Sequence, residues 1–198
     1  MLIKGTEDLR VQKTMAAIGS AFEALLLERD YEKISVTALC ARARINKKTF
    51  YTYYENLDAL LEEKLQSLAA KLLERNAKYR APEELEEINR EFFHYAAEQG
   101  ALYEKIACSS AWEEAAGRMF STLVQKTWSR SPRFQALGSA QQALLLDFLA
   151  VTGGGLYRQW VRSGKQMPLE EIIALSGALL CGGVNGFMAR ASVAAQAD

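Results

Sequence analysis

Between Lys33 and Tyr54 the chain carries five basic side chains, Lys33, Arg42, Arg44, Lys47 and Lys48, and no acidic one. Elsewhere acids and bases are interspersed, and over the whole chain they balance at 24 each. Bulk charge therefore names no partner, and its local distribution must be read instead. Interleaved with the cations are Thr49, Tyr51, Thr52 and Tyr53, whose hydroxyls can reach phosphate oxygens or base edges. Cations that neutralise phosphates, with hydroxyls beside them, make up the chemistry of a nucleic-acid grip. A solvated basic turn has the same composition, so the elements that carry these residues have to decide between the two.

Those elements read as short helices. Met15, Ile18, Phe22 and Leu25 recur at spacings of three and four and give a first helix one apolar face. Thr6, followed by Glu7 and Asp8, is its expected start, and it should end near Arg29 and Asp30. Ser35 is placed to cap a second helix carrying Val36, Leu39, Cys40 and Ala43. Arg44 and Ile45 make a brief break, and Asn46 can cap a third helix over 47–53. Asn56 can cap a fourth, whose leucine stripe (Leu57, Leu60, Leu61, Leu65, Leu68, Leu72, Leu73) predicts a helix to about residue 80. Helices two and three, joined by a tight turn, match a helix-turn-helix, in which the second helix reads the major groove with its N-terminal residues. Here that end is Lys47-Lys48-Thr49, where free N–H groups also face phosphate. Phe50 and Tyr54, at i and i+4, should turn inward and leave Lys47, Lys48 and Thr52 outward.

The remainder reads as further helices. Pro82-Glu-Glu looks like a helix start and Gly100 like its stop. A short helix covers about 101–108, and another runs over 112–128 until Pro132. Ser139-Ala-Gln-Gln142 resembles a capping box opening a helix through Trp160 that stops at Gly164, and Pro168 starts the last helix. No stretch alternates like a strand. The expected fold class is all-α with about nine helices: a three-helix helix-turn-helix head in residues 1–56 and a helical ligand-binding and dimerisation body in residues 57–198. Aromatic residues concentrate in the body's first half. Phe92, Phe93, Tyr103, Trp112 and Phe120 are the candidate lining of a pocket for an apolar effector, and a plain aromatic core is the alternative. His94, in the same stretch, reads as a structural partner rather than a proton switch.

Several classes are disfavoured. The three cysteines, Cys40, Cys108 and Cys181, are far apart and suit buried apolar positions in a reducing compartment. With His94 the only histidine, no metal-ligand spacing exists and no metal or other cofactor is expected. No phosphate-binding glycine loop, zinc-protease motif or nucleophile elbow occurs, so no catalytic residue is assigned and the chain is not expected to be an enzyme. No signal-peptide pattern opens the chain, and a cytoplasmic protein is expected. Residues 172–189 lack charge but contain Ser176, Asn185 and several glycines, which suits a helix buried between protein surfaces better than a membrane span. So many glycines there and at Gly153-Gly-Gly155 suggest close backbone contact.

The segment from Ile34 to Leu60, with Asn46-Lys-Lys-Thr-Phe-Tyr-Thr-Tyr-Tyr54 at its centre, resembles the DNA-binding signature of the TetR family of regulators. With the first helix included, the likeness covers about 50 residues. Leu156-Tyr-Arg-Gln-Trp-Val-Arg-Ser-Gly164 is similar to the penultimate helix of many members. The resemblance implies roles by position. Ser35 would cap the second helix and touch phosphate, and Thr37 would reach toward DNA. Lys47, Lys48 and Thr52 would face bases or nearby phosphates, and Thr49, Tyr51 and Tyr53 would anchor the backbone. Arg44 and Asn46 complete the DNA-binding set at the turn. Two departures stand out: Arg44 occupies a turn position where the family usually has Gly, and Leu57 stands where it often has Lys. The resemblance also implies a homodimer joined through its last two helices, here with Leu144, Leu145, Phe148, Leu149, Leu156, Ile172, Ile173, Leu179, Leu180, Val184 and Phe187 as the expected surface. It implies a double-stranded DNA operator as partner and, as the commoner mode, a repressor released by a small molecule. A helical ligand-binding or protein-interaction module without DNA binding is the alternative.

Overall fold

A computed structural model describes residues 9–109 and 125–194, with side chains described to residue 190. The expected calls on Thr6, Glu7, Asp8, Trp112 and Phe120 lie outside these residues. The described chain is all helical. In order come α1 (Leu9–Glu28), a 3₁₀ turn (Tyr31–Lys33), α2 (Val36–Ala43), α3 (Lys47–Tyr53), α4 (Leu57–Asn76), α5 (Leu85–Glu98) and α6 (Gly100–Ala107). A helical turn at 125–128 precedes α7 (Pro132–Gln135), α8 (Ser139–Arg162) and α9 (Leu169–Ala194).

Local chemistry sets the boundaries in the head. The side chains of Ser35, Asn46 and Asn56 accept hydrogen bonds from the N–H groups of Ala38, Thr49 and Ala59 at 3.2, 2.7 and 2.8 Å. Each satisfies one of the donors a helix start leaves open. Gly100, at φ +65, opens α6 two residues after the end of α5, and Gly164, at φ +73, follows the end of α8. These left-handed positions favour a residue without Cβ.

Three expected boundaries differ. The fourth helix stops at Asn76 rather than near residue 80, because the chain closes two tighter turns there: Ala77 N–H to Glu74 O and Tyr79 N–H to Asn76 O. Pro82 sits in the turn before α5, not in its first turn, and the helix begins at Leu85. The cap of α8 is shifted by one residue. Gly138 is the N-cap and its N–H donates to the Gln141 side chain at 3.0 Å. Gln142 instead donates back to the carbonyls of Phe134 and Leu137.

One core runs from head into body. Ile18, Phe22 and Leu25 of α1 join Leu39, Phe50, Leu60, Leu61 and Leu65, and the same cluster continues through Phe93, Tyr157 and Ile173. A second cluster, with Trp128, Phe134, Leu145, Leu149, Leu180, Val184 and Met188, lies under α8 and α9. α9 lies along α5. Buried Asn89 joins the two, donating to Ile173 O at 3.2 Å and Ser176 Oγ at 2.8 Å. By length and composition Leu169–Arg190 could cross a membrane (mean hydropathy 1.7). In this fold one face of that segment, Ile172, Ile173, Leu180, Val184 and Met188, is buried in the chain's own core.

Candidate nucleic-acid interface

The turn between α2 and α3 is built by the backbone of Arg44. Its φ of 55 and ψ of 42 are left-handed, and Ile45 N–H then reaches back to Cys40 O at 3.0 Å. This is the closure that normally recruits Gly after a helix, and it turns the chain so that α3 starts two residues later. Ile45 packs on the core while Arg44 stays exposed.

α3 is then held by its apolar face. Phe50 and Tyr54 are buried with ring centroids 5.7 Å apart. Lys47, Lys48 and Thr52 are left on the exposed face, as the i, i+4 spacing predicts. Ser35, Thr37, Arg44 and Asn46 are exposed beside them. Tyr51 is half exposed, whereas Tyr53 is 9 % exposed and belongs to the core cluster. Thr49 Oγ1 donates to Asn46 Oδ1 at 3.0 Å and Thr52 Oγ1 to Lys48 O at 2.9 Å, so each hydroxyl keeps acceptor capacity toward solvent.

The five bases of the run divide into two groups. Arg42 Nη2 donates to both carboxylate oxygens of Glu28 of α1, at 2.8 and 2.7 Å, and Lys33 pairs with Asp30 at 2.8 Å. These two brace the head against itself. Arg44, Lys47 and Lys48 make no ion pair among the described residues, so the turn and the start of α3 present an uncompensated positive patch. Two further cations, Arg10 and Lys13 of α1, lie beside Ile45 along a shallow surface recess.

The head is tied to the body at several points. Tyr31 donates to Asp58 of α4, and Lys64 of α4 pairs with Glu23 of α1. α6 packs against α1, with Lys105 4.0 Å from Asp30. Farther along α4, Arg75 bonds Glu91 at 3.2 Å and Glu98 at 2.5 Å, and the Tyr95 hydroxyl donates to Leu68 O. The bond from Arg75 holds the Glu98 carboxyl below its usual range. His94 lies 3.2 Å from Glu170 of α9, which also holds Arg90.

In the body, Phe92, Phe93 and Tyr103 converge on Tyr157, with centroids 5.8, 5.9 and 5.5 Å from its ring, and Trp160 adds a fourth at 5.9 Å. The Tyr157 hydroxyl is buried without a hydrogen-bond partner among the described residues. Burial pushes its proton affinity up, so it remains a neutral O–H. Sequence reasoning missed Tyr157 and Trp160 as members of this cluster, although their i, i+3 spacing was a signal.

The dimer surface expected from sequence is corrected. Leu145, Leu149, Ile172, Ile173, Leu180 and Val184 are buried within the chain. The apolar side chains left outside are Leu144 (62 % exposed), Phe148 (37 %) and Val151 (62 %) on α8, with Leu175 (49 %) and Leu179 (62 %) on α9. They continue into Gly155 on α8 and into Gly182 and Gly186 on α9, in the same four-three-four spacing, and no atom within 4 Å would meet a Cβ at these glycines. Gly183 and Gly177 differ. A Cβ there would lie 3.0 Å from Phe148 and 3.6 Å from Asn89, so among the described residues these two glycines of α9 serve contacts within the chain.

Comparison with known proteins agrees with this geometry. Residues 18–63 match the family of bacterial regulatory proteins described as the tetR family. A transcriptional activator of the dhaKLM operon, DhaS from Lactococcus lactis, is 33 % identical over 66 residues, which span 33 % of this chain and 35 % of that protein. Among solved structures, a TetR transcriptional regulator from Streptococcus agalactiae has a TM-score of 0.61 at 22 % identity, over 86 % of this chain and 95 % of that one. The protein Lin0861 from Listeria innocua has a TM-score of 0.64 at 19 % identity, over 87 % and 92 %. These two likenesses bear on the fold, and the matched domain bears on the head. Motif and matched domain agree that residues 18–63 form a DNA-binding domain like that of the tetR family of bacterial regulatory proteins, within a fold similar to these solved structures.

Proposed function

We propose that this chain is a DNA-binding transcriptional regulator. It works as a two-fold homodimer in the cytoplasm and grips its operator with Arg44, Lys47, Lys48 and Thr52, with Ser35, Thr37, Asn46, Thr49 and Tyr51 on the backbone. Tyr53, drawn into the core, acts as a positioning residue for α3. The observation that carries the reading is the divided helix: Phe50 and Tyr54 lock α3 into the core while the unpaired cations at its N-terminal end face outward. The division of the chain into a head at 1–56 and a body at 57–198 is part of this reading, with α4 as the element that joins them.

The regulatory ligand we infer is a small, mainly apolar molecule received among Phe92, Phe93 and Tyr103, with Trp112 and Phe120 as further candidate walls. The unpartnered Tyr157 hydroxyl supports one hydrogen-bond acceptor on that molecule. Release of the operator on ligand binding would make the protein a repressor. DhaS is a transcriptional activator, so the direction of control is read from a promoter reporter rather than from ancestry.

The test is selection of duplexes from a randomised pool by the full chain, followed by fluorescence anisotropy on the enriched sequence. Affinity should fall with salt, by a slope of about 0.9 for each phosphate neutralised. Lys47→Ala with Lys48→Ala should weaken binding and flatten that slope. Failure to enrich any sequence would favour a ligand-binding or protein-interaction module without DNA binding.

A further inference from the structure

We propose that the recess at the far end of α4 binds a small organic oxyanion, at a site separate from both the operator grip and the aromatic cluster. The recess measures about 630 Å³ and is walled by the end of α4, the turn before α5 and the segment leading into α7. That volume suits a small organic molecule and is far larger than a bare ion needs. Four cations line it, Lys78, Arg80, Lys126 and Arg130, against one acid, Glu83. Glu83 is engaged by Arg133 at 3.5 Å, and Lys78 stands 3.9 Å from Glu91. Arg80, Lys126 and Arg130 have no ion pair among the described residues. In a chain whose acids and bases balance, such an excess in one concave place is a departure.

Two simpler accounts fall short. The negative end of the α4 dipole attracts cations near the helix end, which accounts for Lys78 and Arg80, two and four residues past Asn76. It does not explain Lys126 and Arg130, which come from a different stretch of chain. Operator binding does not explain them either. At 1.5 Å per residue the recess lies roughly 30 Å along α4 from the head. The second observation is Asn76, 8 % exposed and lining the recess, whose side-chain oxygen is buried without a hydrogen-bond partner among the described residues. An amide can present either its oxygen or its NH₂ by a flip, so this group can donate to an anion seated among the arginines or accept from a hydroxyl on the same molecule. Carboxylate and phosphate share the chemistry this site recognises, and Arg80 and Arg130 offer the forked donors that suit both.

The experiment is isothermal titration calorimetry of the full chain with citrate and, separately, glucose 6-phosphate, each against sodium chloride at matched ionic strength. Saturable binding of either probe, one per chain, is expected in the millimolar range or below. Arg80→Ala with Arg130→Ala, both at exposed positions, should weaken it by about tenfold or more while operator affinity is unchanged. Citrate binding would assign a carboxylate, glucose 6-phosphate binding a phosphate. The proposal is overturned if neither probe saturates, or if the double variant binds as the parent does. It is also overturned if that variant loses operator affinity, since the cations would then belong to the DNA path. The titration needs no DNA, so its result stands apart from the operator reading.

Discussion

At the scale of single residues, the proposed DNA grip makes Arg44 the position where stability and function oppose each other. A non-glycine residue held left-handed costs about 1–3 kcal/mol, whereas glycine gives back about 0.5–1 kcal/mol through the freedom it adds to the unfolded chain. Arg44→Gly should therefore raise stability by about 1 kcal/mol, read as a higher urea midpoint with unchanged slope. The same change removes a cation from the exposed patch and should weaken operator binding. A variant no more stable than the parent would mean that the arginine side chain repays its own strain. How legible the site was depends on range. Caps at Ser35, Asn46 and Asn56 could be read from sequence because a cap involves one side chain and an N–H three residues on. The contact of Arg42 with Glu28 could not, since the two stand on different helices, and it engages a cation that sequence alone counted in the basic run.

At the scale of elements, the amphipathic helices were legible and the nearly uniform one was not. α3 has one apolar face and its outward residues followed from spacing. α9 is apolar almost throughout, so sequence could not separate Ile173 and Leu180, which face the core, from Leu175 and Leu179, which do not. A polar seam fixes its rotation. Asn89 donates to Ile173 O and Ser176 Oγ, and Ser176 itself donates to Ile173 O. Asn89→Ala should cost about 2 kcal/mol, from two hydrogen bonds at about 1 kcal/mol each. The double change with Ser176→Ala should cost less than the sum of the two, because the groups share partners. Thermal or urea unfolding of the four proteins provides the check, and strict additivity would show that Asn89 and Ser176 act independently.

At the scale of the molecule, the proposed function makes pairing through the outward stripe of α8 and α9 the condition for reading DNA. Two heads must stand about 34–36 Å apart to reach successive major grooves on one face of a duplex. A pairing of these stripes about a two-fold axis would hold that spacing, and a single protomer cannot. The body meets the head along two routes, α4 and the contact of α6 on α1, and Tyr103 and Ile106 on α6 belong to the core cluster that holds Phe92 and Phe93. A ligand that parts the aromatic cluster would thus press on both routes, and its effect on DNA is bounded by its differential affinity for the two shapes. Coupling of about 1–3 kcal/mol would be typical, with DNA weakening the ligand by the same factor. All of this requires the dimer first. Leu179→Lys puts a charge in the middle of the outward stripe, at a side chain already 62 % exposed, so the protomer's own core is untouched. Light scattering at micromolar concentration should give about 44 kDa for the parent, twice the 22.0 kDa chain, and about 22 kDa for the variant. Circular dichroism should be unchanged. Operator affinity should fall steeply, because each head then holds its half-site alone. A Leu179→Lys protein that stays dimeric would place the two-fold contact elsewhere. A monomeric variant that binds the operator as the parent does would remove the dimer from the mechanism and, with it, any control of DNA through the spacing of the heads.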